Sequence, residues 1–310
     1  MILTVTLNAA LDITYRVRAL RPQTGHRVSE VVERPGGKGI NVARVLAALG
    51  HRVTVTGFAG GATGRTVRDL LANGPGAVAD ALIPVAGSTR RTVSVVDPAA
   101  EDATLFNEPG PTVSPAEWDT FRDAYRDLLP SARAVALCGS LPPGVPVGAY
   151  ALLVREARAA GVTVLLDTSG EPLRRGVAAR PDLLKPNAEE LAELTGSHDP
   201  LQAARDARRR GARTVVASLG AEGLLAVGPE GHWRAAPPRP LRGNPAGAGD
   251  SAVAGLLSAL AENLPWPERL ARAAALSAAT VLSPVAGEFD RARYEELLGR
   301  VRVAEAAPTA

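Results

Sequence analysis

The sequence is poor in cysteine and in aromatic residues. Its 310 residues include one cysteine, Cys138, and only 4% are Phe, Trp or Tyr. A single cysteine excludes an internal disulfide and a zinc site built from a cysteine cluster, and it is typical of a reducing compartment. With 46% hydrophobic and 22% charged residues, the composition is otherwise globular, which excludes a disordered or collagen-like chain.

Long hydrophobic runs and a strong excess of one charge are absent as well. No apolar run reaches the roughly 18 residues that span a bilayer, and the first residues lack the basic segment of a secretion signal. The formal net charge is +3, and the densest basic run, 208–210, ends a helical pattern, where cations complement the helix dipole. We therefore expect a cytoplasmic protein that binds neither nucleic acid nor membrane.

Lysine is also scarce. Of the 35 basic side chains, two are lysines, Lys38 and Lys185, and 33 are arginines. Arginine supplies the scattered surface cations of this chain. A lysine retained against that background indicates a place where a compact ammonium on a flexible stem is needed.

Short apolar runs alternate with helical patterns along most of the chain, which predicts a parallel sheet covered by helices. The predicted strands are 2–7, 53–58, 135–138, 162–166, 183–184 and 214–217. A helix is predicted over 40–49 and ends at Gly50, and Ser114 with Glu117 forms a capping box that starts another helix. The last residues, 304–310, have the composition of a frayed terminus.

Two stretches interrupt this alternation, at about residues 12–34 and 90–107. Neither has a helical period, and Thr92–Val95 alternates polar with apolar residues as a one-faced antiparallel strand does. We interpret them as lid strands inserted into a single domain that spans 1–310. Because such a layer cannot cover its own apolar face, it closes either against the cleft of the main domain or against a second subunit in a homodimer.

The strongest motif is the segment 243–255. Its small residues Gly247, Ala248 and Gly249 stand just before a helical run, so their backbone N–H groups are free to hold an anion such as a phosphoryl group. Asp250 follows directly. A carboxylate there would repel a resting phosphate, which suggests that it accepts a proton from an attacking hydroxyl. The alternative is an acid that only stabilises the first turn of its helix.

Two common nucleotide-binding fingerprints fit poorly. Residues 247–252 match the loose G-x-G-x-x-A form of the dinucleotide motif, but they come late in the chain and no acid follows at the spacing of a ribose contact. A Walker P-loop is absent, because neither lysine has the required glycines before it and Ser or Thr after it. A dinucleotide oxidoreductase is therefore the weakest interpretation.

Both lysines stand in segments with ligand-binding potential. The turn 36–41 brings Gly37, Lys38 and Asn41 to a helix start, where glycine permits close approach of a ligand; a plain turn with an exposed lysine is the alternative. Asn187 and Glu190, just after Lys185, have the spacing of a capping box. They also follow a strand, where α/β sheets bind ligands, and can position Mg²⁺ through its waters on a nucleotide phosphate.

Further candidates follow other predicted strands. Ser218, Gly220 and Gly223 form a turn compatible with a nucleotide lying over it. Ser140 follows the strand that contains Cys138, which we interpret as a small buried residue and not a nucleophile. Candidates for binding the acceptor are Asp12, which can accept hydrogen bonds from sugar hydroxyls, and Asn41, Arg90 and Arg91; taken singly, each of them is more often a solvated residue of the lid.

Together these residues resemble the ribokinase/phosphofructokinase-B (PfkB) family of sugar kinases over nearly the whole chain. Segment 36–41 resembles the first family signature, 244–255 the second, and 185–190 the N-x-x-E magnesium motif. Within that family, segments 6–12, 107–111 and 139–145 are similar to the 1-phosphofructokinase and tagatose-6-phosphate kinase branch.

The resemblance implies a three-layer α/β/α fold with a mostly parallel sheet and a small β lid, often dimeric through the lid. It implies ATP as co-substrate, Mg²⁺, and in some members K⁺. By analogy Asp250 is the catalytic base, and the anion hole is Gly247, Ala248 and Gly249. The matching nucleotide positions are Lys185, Asn187, Ser218, Gly220 and Gly223, with Glu190 and Asn187 organising Mg²⁺ through water. The matching sugar-phosphate positions are Asp12, Gly37, Lys38, Asn41, Arg90 and Ser140.

Three positions depart from the family pattern. Ala9 replaces the proline usual in this branch, and segment 283–287 differs from the usual small-residue stretch near adenine and the monovalent cation. Arg91 follows Arg90 directly, so either guanidinium can face the substrate phosphate.

The resemblance predicts a kinase that phosphorylates fructose 1-phosphate at its 6-hydroxyl. Tagatose 6-phosphate, fructose 6-phosphate, a free sugar or a nucleoside are the alternative acceptors. An inactive sugar-phosphate-binding regulator is the alternative outside the enzymes, and its expected mark is loss of the base or of the anion hole, both of which are intact here.

Overall fold

A ten-stranded sheet runs through the centre of the protein. The structure, a computed structural model, describes residues 1–74, 76–97, 102–239, 241, 243–283 and 287–306. In spatial order the strands are β14 (Arg302–Glu305), β13 (Gly231–Ala236), β12 (Leu224–Gly228), β11 (Thr214–Ser218), β10 (Leu183–Leu184), β9 (Thr163–Asp167), β8 (Ala134–Cys138), β1 (Ile2–Thr6), β4 (Val53–Gly60) and β5 (Val78–Val85). From β11 to β5 the strands are parallel, and β12, β13 and β14 each run antiparallel to the strand before.

Helices cover both faces of this sheet. One face carries α1 (Lys38–Ala48), α2 (Gly61–Ala72), α8 (Ala248–Ala261), α9 (Trp266–Val281) and α10 (Arg291–Leu298). The other carries α3 (Pro115–Leu128), α4 (Ala149–Ala159), α5 (Gly170–Ala178), α6 (Ala188–Thr195) and α7 (Pro200–Arg209). None of the helices in the described ranges is both long and apolar enough to cross a membrane.

Alternation along the strands explains the three layers. In β8, Ala134 and Ala136 pack in the core on the α8 side, whereas Val135 and Leu137 pack in the core on the α4 side. Since both faces are covered, the inner parallel strands are buried along their length, and even the threonines that alternate with apolar residues in β1 and β4 are buried. The predicted α/β/α fold is confirmed, and each predicted strand is found with its ends shifted by at most two residues.

A four-stranded sheet lies apart from the large one and is called the lid sheet below. Its strands, in spatial order, are β3 (Glu30–Gly36), β2 (Ala10–Arg16), β6 (Arg90–Asp97) and β7 (Asp102–Asn107). They coincide with the two stretches predicted as a β layer, apart from 98–101, which lie outside the described residues. β6 is antiparallel to β7, as its alternation predicts, but parallel to β2.

The parallel strands bring distant parts of the chain to one edge. The segments after β1, β8, β9, β10 and β11 all leave at the carboxyl ends of neighbouring strands. Ligands of open α/β sheets bind at that edge. The predicted capping boxes of α3, at Ser114 and Glu117, and of α6, at Asn187 and Glu190, are both present and fix the helix starts that follow.

Three features differ from the sequence predictions. α1 begins at Lys38, two residues earlier than predicted, because Gly37 has a φ of 106° and caps the helix. The antiparallel strands β12, β13 and β14 were not predicted. The frayed terminus predicted over 304–310 is wrong for Ala304 and Glu305, which pair with β13, while 307–310 lie outside the described residues.

Candidate active site

Asp250 is one of two buried acids at the cleft edge. It lies in the first turn of α8, three residues after Gly247, whose φ of 78° is the left-handed value that lets the chain turn into the helix. Its side chain is buried, with 5% relative exposure. Asn41 of α1 donates a hydrogen bond from Nδ2 to Asp250 Oδ2 at 2.9 Å. Asp250 is therefore held by another helix as well as by its own.

The surroundings of Asp250 make it a weak acid. Burial is the main cause and the nearby carboxylate of Asp167 the second; together they raise the pKa of Asp250 to about 6, although Lys38, Asn41 and Lys185 act in the opposite direction. A carboxylate with this pKa is largely ionised at neutral pH and accepts a proton more readily than an exposed one.

A second buried carboxylate, Asp167 at the end of β9, joins the two lysines of the chain. Lys38 Nζ donates a hydrogen bond to Asp167 Oδ1 at 3.2 Å, and Lys185 Nζ lies 3.6 Å from the same oxygen. Side-chain exposure is 1% for Asp167, 4% for Lys185 and 41% for Lys38. The Asp167 carboxylate is the first cause that raises the pKa of Lys38, so this ammonium stays charged.

The ammonium of Lys185 borders the glycine turn in front of α8. A Cβ added to Gly249 would lie 3.4 Å from Lys185 Nζ. The turn therefore combines the positive end of a helix dipole with a buried cation, which is the arrangement that binds a phosphoryl group.

The residues predicted to bind the nucleotide line the same cleft as this turn. Asn187 Oδ1 accepts from the Glu190 backbone N–H, and Glu190 Oε2 accepts from the Asn187 N–H, both at 2.8 Å. Asn187 also forms an isolated parallel bridge with Ser218. Gly220 and Gly223 follow with φ of 60° and 86°, so glycine is required in this turn.

These residues line one cleft with a volume of about 1150 Å³. The predicted residues in its wall are Lys38, Lys185, Asn187, Glu190, Ser218, Gly220, Gly223, Gly247, Ala248, Gly249 and Asp250. An apolar part of the wall contains Leu241, Ala274, Ala278 and Val281, which were not among the predicted site residues. Residues 284–286, in the segment that departs from the family pattern, lie outside the described part of the chain.

The predicted acceptor residues lie on the lid side. In the lid sheet, Asp12 of β2 pairs in register with Thr92 of β6 and with Arg34 of β3. Burial raises the pKa of Asp12 to about 6, and the guanidinium of Arg90 is the largest opposing influence. Gly37 and Asn41 lie at the junction between lid and cleft, at the start of α1.

Of the two adjacent arginines, Arg90 faces this site. Its Nε donates to the backbone oxygen of Asn8 at 3.3 Å, and it interacts electrostatically with Asp12. Arg91 points to the other side of the strand, where Glu108 accepts hydrogen bonds from its Nε at 3.0 Å and Nη2 at 2.7 Å. Alternation along β6 thus separates the two guanidiniums.

Ser140 lies slightly apart from the other acceptor candidates. It accepts a hydrogen bond from Asn8 Nδ2 at 3.2 Å and lines a neighbouring cavity of about 500 Å³. Cys138 is fully buried, and burial raises the pKa of its thiol, in agreement with a packing role.

Asp167 is the site residue that the sequence reasoning missed. The predicted strand ended at Leu166, whereas β9 continues to Asp167, its carboxyl-terminal residue. An acid at that position is a signal of a binding edge. No group of three or more His, Cys, Asp or Glu side chains that could hold a metal ion is found within the ranges the structure describes.

The sequence matches the pfkB family of carbohydrate kinases over residues 5–291. A 1-phosphofructokinase from Rhodobacter capsulatus is 40% identical over 292 residues, which cover 91% of this chain and 92% of that protein.

Solved structures of phosphofructokinases also superpose closely on this chain. The phosphofructokinase-2 of Escherichia coli in complex with potassium superposes with a TM-score of 0.88 at 30% identity, over 96% of this chain and 98% of that one. The same enzyme in complex with fructose-6-phosphate gives a TM-score of 0.86 at 30% identity over the same shares.

We predict that replacing Asp167 destabilises the fold. In Asp167→Asn the ammonium of Lys185 stays buried without its counter-charge, which should lower the free energy of unfolding by about 3 kcal/mol. Chemical denaturation measures this change. Glu171→Gln, which breaks an exposed pair with Arg175, is the control and should cost less than about 0.5 kcal/mol. Equal effects of both substitutions would contradict this account of the buried cluster.

Proposed function

The chain belongs to the pfkB family of carbohydrate kinases, and on that premise we propose that it is a 1-phosphofructokinase. The reaction transfers the γ-phosphoryl group of ATP to the 6-hydroxyl of fructose 1-phosphate, giving fructose 1,6-bisphosphate and ADP. One observation carries the proposal: a buried carboxylate, Asp250, follows a glycine turn and interacts electrostatically with two ammonium groups, in a chain 40% identical to a 1-phosphofructokinase.

Asp250 is the general base in this proposal. It accepts the proton of the 6-hydroxyl as that oxygen forms a bond to the γ-phosphorus, and the bond from phosphorus to the bridging oxygen of ADP breaks. The hydrogen bond from Asn41 orients the carboxylate, and its raised pKa makes it the stronger base. Little further covalent chemistry is required of the protein.

Neutralising the transferred group is the second requirement. In this proposal the backbone N–H groups of Gly247 and Gly249 hold the equatorial oxygens, and Lys185 lies close enough to share the charge of those oxygens. The Ala248 N–H, predicted as the third donor, instead donates to the Pro245 backbone oxygen at 3.2 Å. Since Asp167 lies between both lysines, it fixes their positions before the nucleotide arrives. Catalysis then rests on positioning and charge, as is general for phosphoryl transfer.

ATP extends along the cleft in this proposal. Its phosphates lie beside Lys185, Asn187 and Ser218, and the nucleoside lies over the turn at Gly220 and Gly223. The adenine base packs against the apolar part of the cleft wall.

Mg²⁺ on ATP would be held through water. Glu190 and Asn187 already exchange hydrogen bonds in a capping box. Their side chains are therefore better placed to bind the water molecules around Mg²⁺ than to ligate the ion directly. Asp167 Oδ2 is buried with no hydrogen-bond partner among the described residues, which fits the same hydrated cation. When bound, Mg²⁺ neutralises phosphate charge. K⁺ is proposed as a further cofactor only by analogy with the potassium complex of the E. coli enzyme.

The acceptor lies between cleft and lid. Asp12 accepts hydrogen bonds from sugar hydroxyls, Arg90 pairs with the acceptor phosphate, and Gly37, Lys38, Asn41 and Ser140 complete the site. Closure of the lid excludes water that would otherwise hydrolyse ATP. Fructose 6-phosphate is the second candidate, because a structural neighbour binds it.

We predict phosphorylation of fructose 1-phosphate in preference to other acceptors. A coupled assay with Mg-ATP should release ADP at a higher kcat/KM with fructose 1-phosphate than with fructose 6-phosphate, tagatose 6-phosphate, fructose or a nucleoside. The control is ADP release without acceptor. Turnover with free sugars alone would overturn the sugar-phosphate assignment, and no turnover with any acceptor would favour a regulator.

The proposed base predicts a pH dependence. Asp250 must be ionised to accept a proton, so kcat/KM should be maximal above its pKa of about 6 and fall as pH drops below it. Asp250→Asn should reduce kcat by between about 10² and 10⁴-fold and leave ATP affinity measured by calorimetry nearly unchanged. Because the pKa of Asp12 is also about 6, Asp12→Asn serves as the control. An acid limb that persists in Asp12→Asn supports Asp250 as the base.

We also propose a homodimer formed through the lid sheet. Val31, Leu105 and Phe106 are each more than half exposed, an unusual state for large apolar side chains on a small sheet. A second copy of this sheet would cover them. A structure of the E. coli phosphofructokinase-2 is described as tetrameric, so assembly occurs among the structural neighbours.

Light scattering tests this assembly. The wild-type protein should have about twice the chain mass of 32.0 kDa, and Phe106→Asp should shift it toward the monomer because a charge would be buried in the interface. Val147→Asp, at an exposed apolar residue outside the lid, is the control and should stay dimeric. A monomeric wild-type protein at all concentrations would overturn the dimer.

A further inference from the structure

One carboxylate outside the proposed reaction site joins the lid sheet to the body. Glu288 follows α9, and its Oε1 accepts hydrogen bonds from Arg34 Nη1 and from Arg44 Nη2, each at 2.6 Å. Arg34 lies on β3 of the lid sheet and Arg44 on α1. We call Arg34, Arg44 and Glu288 the lid clasp.

The lid clasp differs in burial from an ordinary surface ion pair. The Arg44 side chain is 8% exposed, whereas Arg34 and Glu288 are about one-third exposed. A buried guanidinium needs a fixed counter-ion, so Glu288 is held by Arg44, and the outer arginine, Arg34, is the member that can leave. The inner pair therefore serves as an anchor for a lid residue.

The lid end of the clasp is close to the proposed acceptor site. Arg34 pairs in register with Asp12 across β3 and β2. Two residues beyond Arg34, β3 ends at Gly36, and α1 begins at Lys38. Any displacement of this end of β3 therefore moves Asp12 and the start of α1 together.

The body end of the clasp contacts the residue that orients the proposed base. A Cβ added to Gly287 would lie 2.7 Å from Asn41 Oδ1 and 3.2 Å from Arg44 Nη1, so the backbone beside Glu288 is packed on both side chains. Asn41 Nδ2 in turn donates to Asp250. A continuous path of contacts thus runs from Arg34 through Glu288 and Gly287 to Asn41 and Asp250.

We propose that Glu288 is a positioning residue that couples the lid sheet to the orientation of Asp250. When Arg34 is engaged, β3 lies over the acceptor site and the segment 287–288 is pressed against Asn41, which aligns the carboxylate of Asp250. When Arg34 is released, the position of β3 over the acceptor site and the contact of segment 287–288 with Asn41 are both loosened. The catalytic part of this inference rests on the proposed kinase function; the mechanical part does not.

Hydrogen exchange tests the mechanical part without any substrate. In Arg34→Gln and in Glu288→Gln, backbone amides of β3 and of the first turns of α1 should exchange faster than in the wild-type protein. Arg16→Gln is the matched control, because it breaks an ion pair with Glu30 that lies wholly within the lid sheet. In Arg16→Gln the exchange rates of the α1 amides should equal those of the wild-type protein. If exchange in β3 and α1 is unaffected by either clasp variant, the clasp is an inert surface contact and the inference is wrong.

Steady-state kinetics test the coupling. With Mg-ATP and fructose 1-phosphate, Arg34→Gln and Glu288→Gln should each lower kcat/KM for the acceptor by between about 10 and 100-fold, and lower kcat, while the KM for ATP changes little. The double variant should lose no more than Glu288→Gln alone, since both substitutions break the same contact. Additive losses, or losses confined to the KM for ATP, would overturn the coupling.

The two tests separate this inference from the proposed function. If the wild-type protein transfers phosphate to no acceptor, the proposed function fails, and hydrogen exchange still decides whether the clasp holds the lid. If Glu288→Gln unfolds, Arg34→Gln decides the matter alone, because it leaves the buried pair of Arg44 and Glu288 intact.

Discussion

The site depends on one buried anion. Asp167 stands between the ammonium groups of Lys38 and Lys185, and without it the buried Lys185 would lose the carboxylate with which it forms its ion pair. The same carboxylate helps to raise the pKa of Asp250. Asp167 therefore has two effects: it holds the two lysines in place, and it makes Asp250 a stronger base. The proposed reaction needs both conditions, because a phosphoryl group must meet positive charge on one side and a proton acceptor on the other.

The parallel sheet is what brings these groups together. Lys38, Asp167, Lys185 and Asp250 are separated by long stretches of sequence. Asp167 ends β9 and Lys185 follows the neighbouring β10, whereas Lys38 begins α1 and Asp250 lies in the first turn of α8. Because the strands are buried on both faces, their apolar residues fix the register, and the polar residues at their carboxyl ends acquire fixed positions. The site is thus a consequence of packing in the core below it.

Much of this could be predicted from sequence, for identifiable reasons. Apolar runs and capping boxes are local signals, so the α/β alternation and the start of α6 at Asn187 were readable. Asp167 was missed because strand ends are poorly defined by propensity. The choice between Arg90 and Arg91 required the register of β6, and the contact of Glu288 with Arg34 and Arg44 joins residues more than 240 positions apart, for which one sequence contains no signal.

The distribution of lysine has a consequence for the chemistry of the whole chain. Both ε-amines lie in the wall of one cleft, and every other basic side chain is an arginine or histidine. Lys185 is almost inaccessible, so Lys38 is the one side-chain amine that is substantially open to solvent. Apart from the chain's amino terminus, amine-directed reagents therefore have one accessible target, Lys38 in the wall of this cleft, and a bound ligand would shield it. Because such reagents attack the unprotonated amine, the Asp167 carboxylate also slows their reaction by keeping Lys38 charged.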